Sequence, residues 1–261
     1  MVEGYVLHSL AWRETSLIVE AFSQEEGRMG LVARGARRPR SAWRGLLQPF
    51  QPLLLRYASK GELRTLMAAE WRGGLPLLSG EALMAGFYLN ELLLRLVPRQ
   101  DPHPILFVAY EQALAALSQT EGLSHESSLI EPTLRQFECR LLRELGVAPE
   151  FAPSIVQAHP EARYGVRPHE GVHRLVGSDT GAAEAEGLWA SGRALLALSG
   201  YDEGLSAFAQ GLAEPELASQ AKRLLRGLIR HHLGGADLMS REAARTLHHM
   251  RQANPHPRET T

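Results

Sequence analysis

The chain has 261 residues, 44% hydrophobic and 22% charged, with a formal net charge of -1. This composition excludes a disordered chain and leaves room for two domains at roughly 150 residues each. A near-neutral total also excludes anion binding through bulk charge, so attraction to a polyanion has to come from asymmetry. Residues 1–72 carry 11 basic and 7 acidic side chains, whereas the remainder carries 17 and 22, giving balances of +4 and −5. A single cysteine, Cys139, excludes an internal disulfide and any multi-cysteine zinc site. With no charged-then-apolar leader and no apolar run of about 18 residues, a cytoplasmic protein without membrane contact is expected.

From Gly4 to about Trp71 the hydrophobic period is near two. Short apolar runs at Tyr5–Leu7, Leu17–Val19, Leu31–Val32, Leu53–Leu55 and Leu63–Leu66 are separated by turn residues. Five short strands in this length predict a five-stranded OB-type β-barrel over residues 1–78. Between Glu26 and Glu62 there is no acidic residue, while Arg28, Arg34, Arg37, Arg38, Arg40, Arg44, Arg56 and Lys60 all fall there. A phosphate track and a solvated basic loop fit that composition equally well.

At Ser79, a plausible N-cap, the period changes. The run ALMAGFYLNELLLRLV reads as a core helix ended by Pro98. His103–Ser118 and Pro132–Leu145 read as two more helices, the latter closed by Gly146 at C′. A polar loop separates them. Residues 151–181 return to strand-like segments with prolines and glycines, so a small β-hairpin insertion is expected there. Helices resume from residue 182 to 251, and residues 252–261 read as a disordered tail. The expected class is α+β and multi-domain, with the helical domain made of 79–150 and 182–251.

Enzyme signatures are absent or deceptive. Neither Lys60 nor Lys222 sits in a Gly-Lys-Ser/Thr loop, and no G-x-S-x-G elbow occurs. His169-Glu170-Gly171-Val172-His173 matches H-E-x-x-H, but that chemistry needs a helix to bring both histidines to one zinc. Pro168 and Gly171 make this segment a hairpin turn instead. The adjacent pairs His231-His232 and His248-His249 read as surface or helix-terminus residues, and Cys139 as a core residue.

The order of several short motifs resembles the bacterial recombination mediator family RecO. In the first third these are Tyr5-Val-Leu-His, Glu14-Thr-Ser-Leu, Gly27-Arg28, Leu31-Val-Ala-Arg-Gly-Ala-Arg37 and Leu46-Leu-Gln-Pro-Phe-x-Pro-Leu-Leu-Leu55. Gly86-Phe-Tyr-Leu-Asn-Glu-Leu-Leu93, Arg135-x-Phe-Glu-x-x-Leu-Leu-x-x-Leu-Gly146, Ala221-Lys-Arg-Leu and Leu233-Gly-Gly-x-x-Leu-x-Ser-Arg-Glu242 follow. The resemblance implies an N-terminal OB-fold, a helical domain and a zinc-finger-like insertion. It implies a non-enzymatic, nucleoid-associated protein of DNA repair that binds single- and double-stranded DNA and anneals complementary strands. It further implies work with RecR to load RecA onto DNA coated by single-stranded-DNA-binding protein (SSB).

On that reading Arg28, Arg34, Arg37, Arg38, Arg40, Arg44, Arg56 and Lys60 contact phosphates; Trp43 and Tyr57 are candidates to stack on bases, with a barrel-core role equally open for Trp43 and favoured for Tyr57. The acidic, Phe-ending SSB tail is expected at Arg135, with Arg140 and Arg143 as further choices. Many members hold zinc through four cysteines. The corresponding segment here has none, and His159, His169 and His173 alone make a poor substitute, so no metal and no cofactor are expected. An OB-fold RNA-binding or translation-associated protein is the alternative, since such barrels bind both nucleic acids.

Overall fold

A computed structural model describes residues 1–58, 61, 63–74, 76–120, 129–176, 179–243 and 246. Alternating apolar residues build β1 (Val2–Trp12), β2 (Ser16–Ser23), β3 (Gly27–Ala33), β4 (Pro52–Ala58) and β5 (Leu63–Trp71). The strands close in the order β1-β2-β3-β5-β4, with β1 and β4 antiparallel and β3 and β5 parallel. This is the OB-type barrel expected from the sequence. Closure pairs every strand on both sides, so no edge is left open. Val6, Val19, Met29, Leu31, Leu53, Leu55 and Leu66 fill its interior.

A helical region follows: α1 (Gly80–Leu96), α2 (Pro104–Ser118) and α3 (Ile130–Glu144). Ser79 takes the extended conformation of an N-cap, and Gly146 adopts φ 70° after α3, as expected of a C′ glycine. Besides its own interior cluster, the barrel contributes Tyr5, Leu7, Phe22 and Phe50 to the helical core. Tyr5 and Phe22 pack on Phe107 and Tyr110 with ring centroids 5.3–6.2 Å apart. In β1 the register shifts between Val6 and His8, leaving the Leu7 carbonyl out of the ladder. The buried Asn90 amide of α1 donates to that carbonyl at 2.9 Å, and Asn90 Oδ1 accepts from the Tyr110 hydroxyl at 2.5 Å. Gly27 is equally constrained: at φ 67°, a Cβ there would lie 2.0 Å from the Asp101 carbonyl oxygen. The barrel therefore docks on the helices through backbone as well as side chains.

Residues 151–181 hold more than the expected hairpin. The segment contains α4 (Ser154–Ala158), β6 (Arg163–Arg167) and β7 (Gly171–Arg174), and α5 (Asp179–Glu186) begins inside it. β6 also pairs with β8 (Trp189–Ser191), making a three-stranded sheet β7-β6-β8 that crosses the expected boundary. Phe151, Val156, Tyr164 and Val166 are buried in the main helical core, so this segment is built into the body. α6 (Gly192–Ser199), a 3₁₀ turn at Gly200–Asp202, α7 (Leu205–Gly211) and α8 (Pro215–His232) complete the body. The helix expected after Ser240 lies mostly outside the described residues, as does the tail. Among the described residues no helix is long and apolar enough to cross a membrane.

Candidate nucleic-acid interface

The basic loop leaves β3 and runs through consecutive turns from Arg34 to Leu47. Ala36 and Leu47 are buried in the barrel cluster, and Trp43 and Leu46 pack against it. These apolar residues seat the loop, and the arginines between them point outward. Arg34, Arg37, Arg38, Arg40 and Arg44 are all exposed. Among the described residues none of the five is ion-paired to a carboxylate.

The loop is fastened to the β1–β2 turn. The Arg37 amide donates to the Thr15 carbonyl at 2.8 Å, and its guanidinium donates to the Arg13 and Glu14 carbonyls, each at 3.3 Å. Within the loop, Trp43 Nε1 donates to the Arg34 carbonyl at 3.2 Å, and Arg44 Nη1 to the Pro39 carbonyl at 3.4 Å. The half-buried Trp43 thus spends its polar atom and much of its ring on the loop itself.

Other expected contacts lie elsewhere. Arg56 is exposed on β4, and Lys60 lies outside the described residues. Arg28, expected to contact phosphate, is half-buried and close to a carboxylate. It sits on β3 where the barrel meets the helices, 3.6 Å from Glu20, which also pairs with Arg99. Burial and the neighbouring Arg99 pull its pKa down while Glu20 pulls it up. It is engaged with Glu20 at the junction. Tyr57, favoured for the core, is half-buried against the barrel cluster, with the Arg64 guanidinium 4.8 Å from its ring centroid. Arg64 in turn pairs with Glu26 at 2.9 Å, and that hydrogen bond holds the Glu26 carboxyl below its ordinary pKa.

The sequence reading missed Trp12 and Arg13. Trp12 is 41% exposed at the end of β1, with the Arg13 guanidinium 5.9 Å from its ring centroid. The available signal was an aromatic–arginine pair at a strand end, on the β1–β2 connection that OB barrels use for ligands. The fold places this exposed ring at the strand end that leads into the turn Arg37 grips.

Arg135 also departs from expectation. It is 3% exposed, and its Nη2 pairs with Glu138 at 2.8 Å in the core. Tyr88 donates to the same carboxylate, and Arg241 donates to the Tyr88 hydroxyl at 2.8 Å. A peptide on the surface does not reach this guanidinium. Arg143 is exposed, and Arg140 is half-exposed with its Nη1 donating to Gln112 of α2 at 2.6 Å.

The histidines of HEGVH separate. His169 is an exposed turn residue at φ 71°, with its ring 6.3 and 5.9 Å from the rings of His231 and His232 at the end of α8. His173 lies on β7 across from Gly165. They do not share a helix face.

The comparisons with known proteins agree with this architecture. Residues 1–74 match the family model described as Recombination protein O N terminal, and residues 77–242 match Recombination protein O C terminal. The chain belongs to the RecO family. It is 46% identical over 247 residues to the DNA repair protein RecO of Azoarcus sp. (strain BH72), covering 94% of each chain. Identity is 44% over 247 residues to that of Aromatoleum aromaticum and 44% over 248 residues to that of Dechloromonas aromatica, again covering 94% of each chain. A RecO-type zinc does not fit the insertion: it lacks cysteine, and no group of three or more potential ligands converges among the described residues.

Proposed function

We propose that the chain is a non-enzymatic recombination mediator of DNA repair, which binds single- and double-stranded DNA through the barrel and anneals complementary strands. The observation that carries this reading is the set of five exposed, unneutralised arginines on one anchored loop. Guanidinium groups so placed neutralise phosphates without reading bases, and two strands bound this way repel each other less. Trp12 adds an exposed ring beside the loop, and base–aromatic stacking contributes about 1–3 kcal/mol per base.

The proposed partners draw support from family membership and from surface chemistry. An SSB tail offers carboxylates and a terminal phenyl ring, so it needs a guanidinium beside exposed apolar surface. On α2, Ile105 and Val108 are exposed on the stripe that continues to Gln112, the residue holding Arg140. Arg140 and Arg143 beside that stripe are the proposed tail site, replacing Arg135. RecR and, through it, RecA are the proposed further partners at the DNA.

Oligonucleotide binding tests the core of this reading. Arg37→Ala/Arg38→Ala/Arg40→Ala should weaken binding to all sequences alike, and unchanged binding removes the barrel loop from the account.

A further inference from the structure

The outward face of α8 opposes the charge trend of its surroundings. Residues 73–261 are acidic on balance, yet Lys222, Arg223, Arg226 and Arg230 crowd onto this helix and Arg241 joins them from the following segment. Together they line an open cleft of about 500 Å³ between α8, α5 and the segment after α8. Its acidic residues are Glu184, Glu186 and Asp237. Glu184 is already paired to Arg163 at 2.6 Å, and Lys222 to Glu131 at 2.7 Å.

The cations here are poorly compensated. Arg223 shares the Trp189 ring with Arg163, their guanidinium carbons 4.1 and 4.0 Å from its centroid. Its Nε and Nη2 are inaccessible and have no hydrogen-bond partner among the described residues. Partial desolvation, then the nearby Arg135 and Arg241, lower the pKa of Arg226 against smaller opposing pulls from Glu138 and Glu131. Such a cluster gains from any anion that enters. Lys222, Arg226 and Arg230 stand one turn apart, so their charges rise in steps of about 6 Å along the helix. Among the described residues no aromatic or large aliphatic side chain lines the cleft, so they offer no anchor for a peptide side chain. Its chemistry suits a repeating phosphate instead.

We propose that this face of α8, with Arg223, Arg226, Arg230 and Arg241 around it, is a second contact surface for a single-stranded nucleic-acid backbone, separate from the barrel loop. The proposal extends the barrel reading and rests on it for the identity of the ligand. A strand held at both surfaces is gripped at two separate points, which suits a protein that keeps strands in place while they pair.

The test is an anisotropy titration of labelled oligothymidylate with the full chain across a salt series. Arg226→Gln/Arg230→Gln should lower the slope of log affinity against log salt by about 1.4 units, at about 0.7 per lost single-strand phosphate contact. The unfolding midpoint should stay unchanged, and Arg226→Lys/Arg230→Lys should keep the slope. The same decrement should appear when the glutamine pair is added to the barrel triple variant. An unchanged slope in the glutamine pair, with a lowered slope in the barrel triple, overturns the proposal and leaves the barrel reading intact. No change in either variant refutes both. A glutamine pair that loses affinity for an acidic peptide but keeps its DNA slope also overturns it.

Discussion

Arg37 Nη1 lies 3.3 Å from the carbonyl oxygen of Glu14, tying the basic loop to a turn 23 residues earlier in the chain. The arginine is both a surface cation and a fastener. Arg38 and Arg40, by contrast, are exposed with no such bond among the described contacts. Arg38→Ala and Arg40→Ala should each lower the single-strand salt slope by about 0.7 units, one phosphate contact apiece. Arg37→Ala should lower affinity further, because the loop loses its two guanidinium bonds to the β1–β2 turn and keeps only the amide bond to Thr15. Salt titrations of the three single variants check this ordering.

Trp12→Ala should weaken single-strand binding by about 1–3 kcal/mol if its exposed ring takes a base, with little change in salt slope. Duplex binding should change less, since paired bases are not free to stack on it. Parallel titrations with oligothymidylate and duplex separate the two effects.

Asn90 joins the bulged strand β1 to α1 and α2. Asn90→Ala leaves the Leu7 carbonyl and the Tyr110 hydroxyl buried without these partners, at a cost of about 1–3 kcal/mol for each unsatisfied group. Denaturant unfolding measures the loss.

The Arg135–Glu138 pair predicts a larger effect of a different kind. Arg135→Ala leaves Glu138, fully buried, with the Tyr88 hydroxyl as its one remaining hydrogen-bond partner among the described residues. Breaking a buried pair from one side costs about 3–5 kcal/mol. The variant should therefore unfold more easily, whereas Arg143→Ala should keep its stability and lose affinity for an acidic Phe-ending peptide. Unfolding curves and peptide titrations on both variants check the contrast.

His232 has its pKa lowered from the ordinary histidine value by burial first, then by His231 and His169. Its folded-state pKa lies below the unfolded one, so the unfolded chain binds the proton more readily. The stability it contributes is full above about pH 6.5 and is lost as pH falls through the folded pKa. Between pH 7 and 5 the wild-type unfolding midpoint should fall more than that of His232→Gln.

Much of this was legible in the sequence because the physical signal was local. Val6, Leu31 and Leu53 sit in period-two runs, so alternation alone places them inside a barrel. Leu89, Leu92 and Leu93 sit in a run apolar on most faces, which only a core helix tolerates. The exposure of the loop arginines followed from turn residues and the absence of acids.

What was missed depends on distant partners. β8 is three residues long and exists through its pairing with β6, where Tyr164 lies 26 positions before its partner Ala190. Arg28 reads as one more loop cation until Arg99, from beyond α1, closes on Glu20 beside it. Arg135 reads as a surface arginine, since nothing within its own helix reveals that Tyr88 and Arg241 enclose its partner Glu138. The α8 cluster is visible as a basic run, but its lack of compensation appears only when α5 and Arg241 are in place.

Strand annealing of complementary oligonucleotides coated with SSB tests the central claim most directly. The wild-type chain should accelerate annealing, and Arg37→Ala/Arg38→Ala/Arg40→Ala should lose most of that acceleration while keeping its unfolding midpoint. A folded triple variant that anneals as fast as wild type would contradict the account.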